Sequence, residues 1–273
     1  MRIARFSLND SPRYAFVQTD EADGKDYLIE LDGHPLFGGK VAPTGKRYAL
    51  DADGIRLLAP VLPSKVYGLA KNYEAHAQFM HEAGHSEISH APEDMVIFTK
   101  PSTSVIGPDD PIVYPPCSKD MNFEPELAVV MGRVAKNVPV EKAMDYVLGF
   151  TCVNDVTLRD LQGLDPTWTR AKGFDTSCPL GPWIVTRDDV NWKDAKISFT
   201  LNGEDVAMAS GTTANLIHGI PEQIAAISSF STLLPGDVIM TGTPNASGHL
   251  DPGDETIVHV EGVGDLRNVI VRA

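Results

Sequence analysis

The sequence predicts a mainly β chain with few helices, an α+β architecture in which strands dominate. Three observations carry this. Apolar runs of strand length recur along the chain between turn signals. Gly and Pro are plentiful, at 23 and 20 of 273 residues. Helical periodicity is convincing only over 140–146 and 221–231, with a further candidate at 73–82.

Taken in order, Ile3-Ala-Arg-Phe, Arg13-Tyr-Ala-Phe-Val and Tyr27-Leu-Ile-Glu-Leu read as short strands, the last ending in the turn Asp32-Gly33. No chemically active cluster accompanies them, so residues 1–60 are expected to form a small β-rich domain. The proline-punctuated stretch Leu58-Ala-Pro-Val-Leu-Pro then leads into a larger domain, 61–273. Its strands begin with Val66-Tyr-Gly-Leu-Ala, Met95-Val-Ile-Phe, Pro111-Ile-Val-Tyr and Glu126-Leu-Ala-Val-Val-Met. They continue with Phe150-Thr-Cys-Val, Trp183-Ile-Val, Lys196-Ile-Ser-Phe-Thr-Leu, Val238-Ile-Met and Glu255-Thr-Ile-Val-His-Val. Pro-Gly-Asp turns at Pro235 and Pro252 launch the last two, since Pro then Gly suits a type II turn.

Charge and motif content exclude several functions. Lys and Arg number 23 against 37 Asp and Glu, a net charge of −14 that argues against nucleic acid or an anionic membrane surface as partner. No apolar run approaches the ~18 residues of a membrane span, and the first residues lack a secretory apolar core. The three cysteines, Cys117, Cys152 and Cys178, form no CxxC pair, so neither a zinc knuckle nor a disulfide framework is expected, and a cytoplasmic location follows. The absence of GxGxxG, a P-loop or a nucleophile elbow argues against a dinucleotide enzyme, an NTPase or an α/β-hydrolase.

Four constellations remain. In Phe123-Glu124-Pro125-Glu126, a two-residue period puts both carboxylates on one face at the mouth of an apolar strand. Asp155 ends another apolar run at Val153-Asn154-Asp155. Three such carboxylates are hard oxygen ligands suited to Mg²⁺ or Mn²⁺; a solvated strand face would show the same pattern. Arg159, Gln162, Arg170 and Lys172 follow within 17 residues of Asp155 as potential donors. The small-residue loop Thr241-Gly242-Thr243-Pro244 offers hydroxyls and N–H groups to an anion, or is an ordinary turn. Finally, His76, His81, His85 and His90 crowd 15 residues, and His81-Glu82-x-x-His85 matches the zinc-protease pattern. Gly84 weakens the helix that pattern requires, which favours a polar lid loop.

Together these segments resemble the fumarylacetoacetate hydrolase family over about residues 60–270. The resemblance is carried by Asn72-Tyr73-x-x-His76, Phe123-Glu124-x-Glu126-Leu-Ala, Asn154-Asp155-Val-Thr-Leu-Arg159-Asp160-x-Gln162, Ala171-Lys172-Gly-Phe-Asp-Thr, Pro179-Leu-Gly-Pro-Trp183, Leu234-Pro-Gly-Asp-Val and Thr241-Gly-Thr-Pro. It implies a mixed β-roll, usually homodimeric, with a divalent cation on Glu124, Glu126 and Asp155. It further implies Lys172, Gln162 and Thr243 as ligand contacts and His76 on a lid as general base. Lys71 and Arg159 join this set as candidate substrate contacts.

What the resemblance implies chemically is an enzyme of short 2-oxo or 2,4-dioxo acids. Cleavage of a C–C bond in an acylpyruvate or fumarylpyruvate type of substrate is the first expectation. Decarboxylation of a 2-oxo diacid such as oxaloacetate, or isomerisation of a 2-hydroxy-dienedioate, is the alternative. Three positions depart from the family pattern. Phe79 stands where many relatives place a glutamate beside the lid histidine, Lys71 precedes Asn-Tyr in place of Arg or an apolar residue, and Pro125 replaces a glycine between the glutamates.

Overall fold

The computed structural model describes residues 1–37 and 40–273. Strands dominate, as the sequence predicts. Among the described residues, the largest sheet has twelve strands. Its main path runs Ala42–Ala49, Asp26–Asp32, Ser11–Thr19, Arg2–Leu8, Cys178–Thr186, Val147–Asn154, Pro125–Met131, Val238–Met240, Val66–Ala70 and Val96–Lys100. Neighbours on this path are antiparallel except Val238–Met240 and Val66–Ala70, which run parallel. A six-stranded mixed sheet is built on Lys196–Leu201, Glu255–Val260, Gly264–Arg272 and Pro111–Tyr114. A third sheet of three short strands joins Met121–Phe123, Thr157–Leu158 and Gly248–His249.

Pro125–Met131 is buried at every position, as expected of a strand covered on both faces. Leu127, Val129 and Met131 enter one apolar cluster with Phe199 and Val258 of the six-stranded sheet. Ala128 and Val130 enter a second cluster with Phe98, Val153 and Met240. Glu124 and Glu126 share the even-numbered face of the second cluster, and Asp155 follows the same face as Val153 on the neighbouring strand.

Helices are few. Glu74–Glu82 and Ile220–Phe230 are α-helical, the latter opened by Pro221 and by Glu222 accepting the Gly219 N–H at 2.7 Å. Val140–Tyr146 is helical but of the tighter 3₁₀ form. Two helical turns that periodicity does not predict, Arg159–Gln162 and Thr169–Lys172, follow Asp155. The N-terminal strands continue the main sheet edge to edge: Arg2 and Ile3 pair with Val185 and Ile184. Among the described residues, no helix is long and apolar enough to cross a membrane.

Candidate active site

Strand register assembles the carboxylates. Pro125–Met131 and Val147–Asn154 lie side by side with Glu126 opposite Val153 and Pro125 opposite Asn154. At the strand ends the Asp155 N–H donates to the Glu124 carbonyl at 2.9 Å, and the Glu124 N–H to Asn154 Oδ1 at 3.0 Å. Pro125 has no N–H to give and sits at the first strand position, where that matters least. Glu124, Glu126 and Asp155 are buried, and each offers an oxygen within 4.8 Å of the others.

Cations surround this cluster. Lys172 Nζ donates to Glu124 Oε2 at 2.7 Å and to Asp155 Oδ2 at 2.6 Å, while Arg159 Nη2 donates to Glu124 Oε1 at 2.6 Å. Arg159 Nη1 reaches Gln162 Oε1 at 2.7 Å. The two short helical turns therefore exist to bring Arg159, Gln162 and Lys172 back over the strand ends. Arg170 takes no part: it is exposed, and its nearest carboxylate is Asp165 at 3.8 Å.

Burial alone would push the Glu124 carboxyl up, yet Lys172 and Arg159 outweigh it and hold the group well below the usual carboxylate range. Glu126 goes the other way, raised by burial and then by the charges of Asp155 and Glu124. A carboxylate so strained towards protonation is relieved by a cation among the three, and oxygen donors alone suit Mg²⁺ or Mn²⁺. The residues fit such an ion.

Opposite the cluster, Asn72 pins the start of the lid. Its amide donates to the carbonyls of Thr241 at 2.9 Å and His218 at 3.1 Å, and its oxygen accepts the His218 N–H at 2.9 Å. Gly242 adopts φ +106° and gives its N–H to Glu126 Oε2 at 2.7 Å; a Cβ there would meet Asn72 Cβ at 3.0 Å. The following residue, Thr243, is buried with its hydroxyl unpartnered. His76, on the first turn of the lid helix, is buried and bonds through Nδ1 to the Asn245 carbonyl at 2.6 Å. The carbonyl accepts, so Nδ1 carries the proton and Nε2 is the free base. Burial holds its pKa below the ordinary histidine value; Glu124 opposes that shift, and Arg159 and Lys172 add to it.

These groups line one cavity of about 610 Å³ that brings together Lys71, His76, Glu124, Glu126, Asp155, Arg159, Gln162, Lys172 and Thr243. Phe79 stacks near His76 with ring centroids 6.4 Å apart. The helix carries only the His81-Glu82 half of the zinc-protease pattern. The helix ends at Glu82, Gly84 takes φ +76°, and His85 lies beyond in a loop that lines the cavity.

Lys100 is absent from the sequence-based set. It ends a strand, is fully buried, and lies 2.9 Å from Asp155 Oδ1 while donating to the carbonyls of Val156, Lys172 and Ser177. A lysine before a proline at a strand end reads as a surface cation, and nothing local marks it otherwise.

Residues 65–271 match the family model described as fumarylacetoacetate (FAA) hydrolase C-terminal, and residues 1–60 match one described as Rv2993c-like, N-terminal. The chain belongs to the fumarylacetoacetate hydrolase family. Within it, the chain is similar to 5-carboxymethyl-2-hydroxymuconate delta-isomerase from Mycobacterium smegmatis, at 41% identity and TM-score 0.86 over all of both chains. It is 38% identical to the mitochondrial oxaloacetate tautomerase Fahd2a of Rattus norvegicus over 80% of this chain and 70% of the relative. Fumarylpyruvate hydrolase from Pseudomonas aeruginosa, solved with Mn²⁺ and pyruvate, is 27% identical at TM-score 0.70, covering 82% of this chain and 94% of that one. The family thus joins isomerase, tautomerase and hydrolase members on one fold.

Proposed function

We propose that the protein holds Mg²⁺ or Mn²⁺ on Glu124, Glu126 and Asp155 and isomerises a short 2-oxo acid by moving a proton between C3 and the C2 oxygen. The observation that carries this reading is the setting of His76. Its Nδ1 is held by a main-chain carbonyl and its ring lies beside Phe79, so it is a base to which no carboxylate is hydrogen-bonded among the described residues. A lone imidazole can accept a proton from carbon and return it to oxygen; activating water for hydrolysis is better served by a paired histidine. The isomerase and tautomerase relatives, at 41% and 38% identity, support the same choice. C–C hydrolysis, the first expectation from the sequence, stands second, favoured by the Mn²⁺- and pyruvate-bound hydrolase relative.

When bound, the cation supplies fixed positive charge where negative charge develops on the substrate oxygens. The protein groups do the rest. His76 Nε2 takes the C3 proton and delivers it to the C2 oxygen, with the reverse transfer in the other direction. Thr243, whose hydroxyl has no other partner, donates to a substrate oxygen. Lys172 and Arg159 keep Glu124 ionised and placed, Lys172 also bonds Asp155, and Gln162 holds Arg159 in turn. The lid loop over the cavity limits water.

The test is proton exchange. Mn²⁺-loaded protein is expected to accelerate keto–enol interconversion of oxaloacetate, followed by enol absorbance, and His76→Gln to slow it by about 10²–10⁴-fold. Glu126→Gln is expected to lose Mn²⁺ binding. Release of pyruvate from acetylpyruvate without enolisation of oxaloacetate would instead establish the hydrolase reading.

A further inference from the structure

We propose that Lys71, together with the Ser86 hydroxyl, forms a second anion subsite in the same cavity and selects substrates that carry a carboxylate at the end distant from the 2-oxo acid group. This rests on the proposed cation site and names the substrate class it serves: 2-oxo diacids rather than monoacids.

The cations around the cavity differ in what they already hold. Arg159 and Lys172 are each bonded to Glu124, and Lys172 to Asp155 as well. Lys71 lines the cavity yet bonds only a hydroxyl, Ser86 Oγ at 2.7 Å, and no carboxylate among the described residues lies within ion-pair distance. Glu87 also lines the cavity but is exposed and makes no pair with Lys71. A half-buried ammonium lacking a counter-ion is an anion site by its chemistry. Burial alone shifts its pKa, downwards, with no acid opposing.

The backbone supports the same reading. Lys71 adopts φ +54°, a left-handed conformation that a non-glycine residue takes at a cost. The next residue, Asn72, is fixed by three hydrogen bonds to the loops of His218 and Thr241. The strained turn therefore directs a lysine to a set place beside the lid. At about 610 Å³ the cavity has room beyond a three-carbon keto acid at the cage. Ser86 sits in the lid loop with its hydroxyl donating to the Ile88 carbonyl at 3.0 Å, and turning that proton to an anion on Lys71 adds a contact from the lid.

The experiment titrates Mn²⁺-loaded, full-length protein calorimetrically with oxalate, 2-oxoglutarate and 2-oxopentanoate. The last two have equal length and differ in ending in carboxylate or methyl. The wild type is expected to bind the diacid at least tenfold tighter than the monoacid. Lys71→Met is expected to close that gap by weakening the diacid alone, with oxalate affinity and melting temperature retained, and Lys71→Arg to restore part of it. Equal affinity for the pair in the wild type, failure to bind the diacid, or equal weakening of both in Lys71→Met overturns the subsite. Failure of oxalate to bind the wild type overturns the cation site itself, a distinct result.

Discussion

Lys100 is an ammonium with no exposure, surrounded by main-chain oxygens of Val156, Lys172 and Ser177 and by one carboxylate oxygen of Asp155. Lys100→Met preserves much of the side-chain bulk but strips those acceptors of their donor. Removing one partner of a buried charged set typically costs about 3–5 kcal/mol. Lys100→Met is therefore expected to lower the urea midpoint with an unchanged slope and to weaken Mn²⁺ binding, because Asp155 loses its second cation. An unchanged midpoint would show that Lys100 is not what holds Asp155. The contrast with Glu124 and Glu126 explains what a sequence can reveal about a site. Their two-residue spacing ahead of an apolar strand is a local signal, and the strand carries them to Asp155. Lys100 reaches Asp155 from 55 positions earlier through sheet topology, which no local pattern encodes. Arg170 is the converse case: near Lys172 in sequence, it faces Asp165 and solvent.

At the scale of elements, Lys196–Leu201 and Glu255–Val260 were legible because alternating burial leaves a period-two pattern, and Val66–Ala70 and Val238–Met240 because they are short continuous apolar runs bounded by turn residues. Arg159–Gln162 and Thr169–Lys172 were not, since four residues barely exceed one helical turn and carry no repeat. Polar Ala42–Ala49 has no apolar alternation to read. What joins such N-terminal strands is partly ionic. Asp26 accepts from Arg2 Nη1 and Nη2 at 2.6 and 2.8 Å and from Thr19 Oγ1 at 2.6 Å, so one carboxylate ties three consecutive strands. The Arg2 bonds, in spite of partial burial, hold its pKa below the ordinary value, with Thr19 adding to the effect. A carboxylate whose folded pKa is depressed stabilises the fold fully above its unfolded pKa of about 3.9 and loses that contribution as pH falls through the folded value. The stability difference between wild type and Asp26→Asn is thus expected to be constant from pH 7 to 5 and to shrink towards pH 3 in urea titrations. A difference equally large at pH 3 would assign the effect to packing.

At the scale of the molecule, a chain of net charge −14 can receive the proposed anionic substrate only through local arrangement. Three carboxylates at the cage face three buried cations, Lys100, Arg159 and Lys172, so a divalent ion leaves the pocket positive. Surface charges beyond the Debye length of about 8 Å are screened at physiological salt, and the pocket is not. None of the cage residues comes from the first 60 positions. That block has its own small core of Ala4, Phe6, Ala15, Val17 and Leu28, and it joins the rest mainly through the pairing of Arg2 and Ile3 with Val185 and Ile184. Ile3 and Leu36 also enter the cluster beneath the cage strands, beside Leu180 and Ile184. Deleting residues 1–60 is therefore expected to leave a folded chain that still binds Mn²⁺. It should melt lower and self-associate, because Cys178–Thr186 becomes an open edge with uncovered apolar side chains. Mn²⁺ titration, melting temperature and size-exclusion elution separate the outcomes. Loss of Mn²⁺ binding in a chain that keeps its strand content would mean that the N-terminal strands set the spacing of the carboxylates, and that the cage is a property of the whole sheet.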